Sequence, residues 1–139
     1  MPMTVLTIET QGPGLYEFTD RLHDLARGDG VMTVFVRHTS CSLLIQENAD
    51  PDVQRDLKAF FDRLVPPSDA PPMRWITHTS EGPDDMPAHI KAAMLPVSLS
   101  IPVLSGRLAL GTWQGVYLFE HRTRPHRREV AVAFTSTAA

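Results

Sequence analysis

Cysteine is nearly absent: Cys41 is the only one in 139 residues, so no disulfide can close within the chain. A reducing, cytoplasmic compartment suits that composition. Long apolar runs are missing as well, and nothing approaches the roughly 20 consecutive apolar residues that a membrane-spanning helix needs. The opening MPMTVLTIET has neither a basic region nor an apolar stretch of secretory type. An excess of positive charge is also lacking. The formal net charge of −3 argues against a general nucleic-acid binder, whose surface would be basic. No glycine-rich phosphate loop occurs. The expected partners are therefore neither nucleic acid nor membrane.

What remains is an ordinary globular composition, 42% hydrophobic and 21% charged, enough for one domain over residues 1–139 with a real core. Val5 to Glu9 alternates as a strand does. Leu15, Phe18, Leu22, Leu25 and Ala26 fall at helical spacing, closed by Gly28 and Gly30. Val31 to Val36 is β-rich, and Ser42 to Gln46 is its expected hairpin partner across the polar Thr39–Ser40 turn. Asp50 and Pro51 signal the start of a second helix, with Val53, Leu57, Phe60, Phe61 and Leu64 as its apolar face and Pro66 as its stop.

The stretch VPPSDAPPM, with four prolines in residues 65 to 73, reads as an internal loop. A short strand is expected over Arg74 to Thr77, and a third helix over residues 86 to 94. Further strands are expected at Val97 to Val103, Arg107 to Leu110, Gly115 to Arg122 and Glu129 to Phe134. About seven strands and three helices in uneven order indicate an α+β fold.

Three segments can carry chemistry. The first, His78 to His89, places two imidazoles and three carboxylates (Glu81, Asp84, Asp85) within twelve residues. Gly82 and Pro83 turn the chain between them, so His78 at a strand end can face His89 on a short helix. Imidazole nitrogen and carboxylate oxygen are the usual donors to zinc-like divalent ions; the plainer alternative is a charged helix start with surface histidines. In the second segment, Arg37 to Ser42, an apolar strand face ends in His38, and the hydroxyls of Thr39, Ser40 and Ser42 follow. Such a cluster can bind phosphate, or it can simply be a polar turn. In the third, Glu120 interrupts an apolar alternation, as a functional group or as half of an ion pair with Arg122 or Arg107. The C-terminal arginines are either a solvated strand end or phosphate ligands.

The segments His38-Thr-Ser-Cys-Ser-Leu, Glu47-Asn48-Ala-Asp50-Pro51, His78-x-x-Glu81-Gly82-x-Asp84-Asp85-Met-Pro-x-His89-Ile-Lys and Gly106-Arg-x-x-x-Gly111-Thr-Trp113-Gln114-Gly resemble, in this order, the YjbQ family. Pro96, where glycine is usual, and Pro83 depart from its pattern without disturbing the site. That family bears the label secondary thiamine-phosphate synthase enzyme. The resemblance implies a compact α+β fold with a β-sandwich-like core, a homotrimer, and a histidine-lined pocket with a divalent metal, for which zinc and magnesium are the candidate ions. Its label points to a phosphorylated small-molecule substrate; the same residues would equally suit phosphate-ester hydrolysis, and the lack of a clear nucleophile–base pair leaves non-catalytic metal or metabolite binding as a further alternative. Carried onto this chain, it makes His78, His89 and Asp84 the metal ligands, with His38 an alternative third. Glu81, Glu120, Gln114 and His38 become catalytic groups; Thr39, Ser40, Asn48 and Arg122 are the candidate substrate-binding residues.

Overall fold

Period-two alternation governs most of the chain, and two sheets result. The computed structural model describes residues 3–137. Its elements run β1 (Met3–Thr10), β2 (Gly14–Glu17), α1 (Thr19–His23), β3 (Gly30–Val36), β4 (Cys41–Glu47), α2 (Pro51–Leu64), a 3-10 turn (Pro71–Met73), α3 (Asp85–Met94), β5 (Ser98–Leu104), β6 (Arg107–Leu108), β7 (Gln114–Glu120) and β8 (His126–Ser136). One sheet has the order β1-β8-β3-β5-β6, the other β2-β7-β4. The described residues thus form the expected α+β class, with eight strands and three α-helices around a β core.

The inward faces of the two sheets make that core. Met32, Val34 and Val36 on β3 and Val130, Val132 and Phe134 on β8 meet Leu43 on β4 and Val116 and Leu118 on β7. Strand β7 is buried on both faces. Its other side carries Tyr117 and Phe119, which meet α2: Phe61 stands edge-on to Phe119 at 5.9 Å, and Gln54 donates to the Tyr117 hydroxyl at 2.9 Å. Asp50 caps α2 as expected, accepting from the Asp52 N–H at 2.9 Å. The apolar face is narrower than the sequence suggests, because Phe60 and Leu64 are exposed.

Four expectations need correction. The helix read from Leu15 to Ala26 is split: Leu15 and Tyr16 pair with Phe119 and Leu118 in the small sheet, and only Thr19–His23 is helical. The Tyr16 hydroxyl, donating to the Gly12 carbonyl at 2.8 Å and accepting from the Gln11 N–H, holds the extended form. The hairpin across Thr39–Ser40 does not form, because β3 pairs with β5 and β8 while β4 pairs with β7. That turn instead carries the chain from one sheet to the other. Residues 74–77 form no strand. Met73 and Ile76 sink with Val65 into a small apolar cluster of their own, and the proline-rich segment is pinned by it. Finally, the last strand starts at His126, three residues before Glu129.

Candidate functional site

The site forms at the end of the sandwich where β3 leaves one sheet, β4 enters the other and β7 terminates. Helix α3 supplies Asp85 and His89, which lie four residues apart and therefore on one helical face. The pinned segment before the Gly82 turn returns His78 to the same place, with its ring edge-on to His89 at 5.9 Å. His78 Nε2 lies 3.0 Å and His89 Nε2 3.4 Å from the same oxygen, Asp85 Oδ2. Asp85 is buried, and its other oxygen accepts from Arg122 Nη1 at 2.8 Å.

One ring is fixed by an unambiguous partner. His89 Nδ1 lies 3.0 Å from the Thr39 carbonyl, which can only accept, so Nδ1 carries the proton. In the neutral ring the Nε2 lone pair is then directed to the shared space. Ligand atoms of His78, Asp85 and His89 all lie within 4.8 Å of one another. They offer two imidazole nitrogens and one carboxylate oxygen to a single point, with the histidine oriented from behind as metal-binding histidines commonly are.

Asp84, expected as third ligand, is engaged elsewhere. Its Oδ2 accepts from Arg122 Nε at 2.8 Å, from the Thr123 N–H at 2.9 Å and from the Thr123 hydroxyl at 3.2 Å. Burial alone would raise its pKa, but the bonds from Arg122 and Thr123 overcome that and hold it at about 2. Arg122 is correspondingly occupied by Asp84, Asp85 and the Glu81 carbonyl, which leaves it a structural clamp rather than a free phosphate ligand. Glu81 remains available: its exposed carboxylate lies 3.4 Å from His78 Nε2.

Glu120 is half of an ion pair, though with neither arginine considered. Arg128 grips both carboxylate oxygens, the Thr10 hydroxyl donates to one at 2.6 Å, and the N–H groups of His121 and Arg122 donate to the other at 3.1 Å. Burial would raise this carboxyl, yet the donors around it lower it overall. No face of Glu120 is open to accept a substrate proton. Arg128 also donates to the Ser40 hydroxyl at 3.0 Å, so Ser40 is part of this buried network instead of a substrate contact. Thr39 contributes its carbonyl, and its side chain is exposed. His38 accepts the Glu129 N–H on Nε2 at 2.7 Å, which removes that nitrogen as a metal donor.

Asn48 and Gln114 are not brought to this site. In the β4–β7 pair, Cys41 faces Glu120 at the near end and Glu47 faces Gln114 at the far end. Six strand steps separate the ends by about 20 Å. There Gln114 accepts from the Gly111 N–H and Asn48 donates to Glu17. Two residues of this region carry roles that the sequence did not assign to them, Asp85 as the carboxylate shared by both histidines and Arg128 as the partner of Glu120. Asp85 was readable from its i,i+4 spacing to His89, and Arg128 from its parity with Val130 and Val132, which places it inside.

Residues 4–137 match the family model described as UPF0047 protein YjbQ-like. A UPF0047 protein of Synechocystis is 54% identical over 132 residues, which cover 92% of this chain and 87% of that one. The UPF0047 protein YjbQ of Escherichia coli is 41% identical, covering 90% of this chain and 91% of its own. The crystal structure of a conserved hypothetical protein from Thermus thermophilus superposes with a TM-score of 0.83 at 33% identity, covering 95% of this chain and 99% of that one.

Proposed function

Because the chain belongs to the YjbQ-like UPF0047 family, we propose that it is a metal-dependent enzyme acting on phosphorylated small molecules. His78, Asp85 and His89 hold the cation. The observation that carries this reading is the convergence of their ligand atoms to within 4.8 Å. Two imidazoles and a carboxylate suit zinc or a similar transition ion, whereas magnesium prefers an all-oxygen shell. Bound there, the cation would supply Lewis acidity for charge developing on a phosphoryl oxygen. The protein's own contributions are distinct. Arg122 fixes the Asp85 carboxylate, the Thr39 carbonyl fixes the His89 tautomer, and the exposed Glu81 is the nearest group able to take a proton.

The family resemblance favours thiamine-phosphate formation, in which pyrophosphate leaves a pyrimidine diphosphate as the thiazole phosphate attacks. Phosphate-ester hydrolysis would use the same residues with water as acceptor. The same resemblance supports a homotrimer, and the single cysteine suits a reducing, cytoplasmic location. Among the described residues no helix is long and apolar enough to cross a membrane.

Elemental analysis of protein purified without chelators tests the reading. Near-stoichiometric zinc is expected in the wild type and in a Gln114→Ala control, and its loss in Asp85→Ala and His89→Ala. Chelation is expected to abolish conversion of the two thiamine precursors while barely moving the melting temperature. A large drop in melting temperature with no turnover to lose would indicate a structural metal in a binding module. Trace metal in every variant would overturn the site.

A further inference from the structure

Beside the His78–Asp85–His89 group lies a cleft of about 520 Å3 between α3 and the ends of β3 and β5. Its walls are apolar, formed by Phe35, Val36, Ala92, Ala93 and Val97, with His38 and His89 among its few polar groups. His38 is the informative one. A backbone N–H is always a donor, so the 2.7 Å contact from the Glu129 N–H to His38 Nε2 requires a lone pair on that nitrogen. The proton of the neutral ring therefore sits on Nδ1. A doubly protonated ring would set N–H against N–H. Burial first, and then the Arg128 charge, lower the pKa and favour the same neutral form. No group among the described residues accepts this Nδ1–H.

An apolar cleft lined by a histidine whose Nδ1–H meets no acceptor among the described residues defines a ligand chemistry. We infer that the cleft binds a small molecule with an apolar body and a hydrogen-bond acceptor oxygen, and that His38 reads this oxygen through Nδ1–H. His38 is then a specificity-determining donor and neither a metal ligand nor a general base, since a base would need a free lone pair. The inference goes beyond the metal reading and does not depend on it, because the donor and the cleft exist without a cation. If both hold, the ligand's acceptor oxygen is presented beside His89, at the border of the metal group.

Two substitutions separate the two ring nitrogens. Glutamine places an amide oxygen near the Nε2 position, so His38→Gln keeps an acceptor for the Glu129 N–H and loses the Nδ1 donor. Asparagine places an amide nitrogen near the Nδ1 position, so His38→Asn keeps the donor and leaves the exposed Glu129 N–H to water. The probe is 1-indanone, a bicyclic ketone, titrated into the full-length 15N-labelled chain as purified and again after chelator dialysis. Amide shifts around Phe35, Ala92 and Val97 report binding, and thermal unfolding of each variant confirms folding. Saturable shifts at those residues are expected with or without the chelator. His38→Asn should bind within about twofold of wild type, and His38→Gln about three- to tenfold more weakly, the range of one neutral hydrogen bond.

Equal affinity in His38→Gln and wild type would overturn the donor role, and no shift at the cleft would overturn the site. A long-range 1H–15N spectrum gives an independent check on the wild type. A neutral ring protonated on Nδ1 is expected; protonation on Nε2 would overturn the assignment. Metal content is measured separately. Absent metal with indanone bound would sink only the metal reading, whereas stoichiometric metal with no indanone bound would sink only this one.

Discussion

The Glu120–Arg128 pair is the most consequential residue-level feature outside the candidate site. It lies inside the sandwich, with Glu120 fully buried and Arg128 nearly so. Two such charges are tolerable because every lone pair of the carboxylate meets a donor. Removing one partner strands the other: Arg128→Met is expected to cost about 3–5 kcal/mol, measured by urea unfolding. Replacing Glu120 and Arg128 together by apolar residues should cost much less, since no lone buried charge remains. His121 makes a second residue-scale prediction. Its Nε2 lies 2.9 Å from the Ser42 hydroxyl, its Nδ1 is buried without a partner among the described residues, and burial followed by the Lys91 charge pushes its pKa down to about 3. In the unfolded chain it titrates near 6.5. Between those values the unfolded state binds a proton that the folded state refuses, so stability falls as pH is lowered through that window. The slope approaches about 1.4 kcal/mol per pH unit for one such group. Urea unfolding at about pH 7, 6, 5 and 4 should show this decline. His121→Phe should flatten it whatever its effect on absolute stability, and an unchanged slope would assign the pH dependence to other groups.

At the scale of elements, the turn that feeds α3 decides whether the site exists. Gly82 has φ +101°, a conformation that costs an L residue about 1–3 kcal/mol, and an added Cβ would lie 3.2 Å from Asp84 Oδ1. Gly82→Ala is expected to lower thermal stability and to weaken zinc binding at Asp85, because Asp84 and Asp85 share Arg122. Calorimetric zinc titration checks the second effect, and wild-type affinity would show that the turn does not position the ligands. Elements with strong local signals were readable from sequence: Asp50 and Pro51 start α2, and the alternation Leu99, Ile101, Val103 marks β5. Elements decided by distant partners were not. Leu15 to Ala26 has helical spacing, yet pairing with β7 draws Leu15 and Tyr16 into a strand. A period-two pattern also does not say which sheet a strand joins, so the β3–β4 crossing was invisible. The site shows the same division. The segment His78 to His89 announced itself by composition, but choosing Asp85 over its neighbour Asp84 needed the position of Arg122, 37 residues downstream of Asp85.

The whole molecule is lopsided. Helices α2 and α3 lie against the three-stranded sheet, while the outer face of the five-stranded sheet carries no helix among the described residues. Across that face the register aligns Val5 with Ala131 and Ala131 with Phe35, an apolar row spanning three adjacent strands. Val5 and Phe35 are 44% and 47% exposed, which is costly for large side chains aligned on one surface. Self-association would cover the row, and the trimer favoured by family resemblance is the assembly to test. Sedimentation velocity should give a mass of three chains for the wild type. Ala131→Arg introduces a charge at the centre of the row, where a surface substitution normally changes fold stability by no more than about 0.5 kcal/mol. It is expected to yield a folded monomer, whereas a trimer that survives the substitution would place the interface elsewhere. Phe35 also rims the cleft beside His38. An assembly built on this row therefore brings a neighbouring chain to the mouth of that cleft. The monomeric variant should then bind 1-indanone with altered affinity while its zinc content, set by residues of one chain, stays the same.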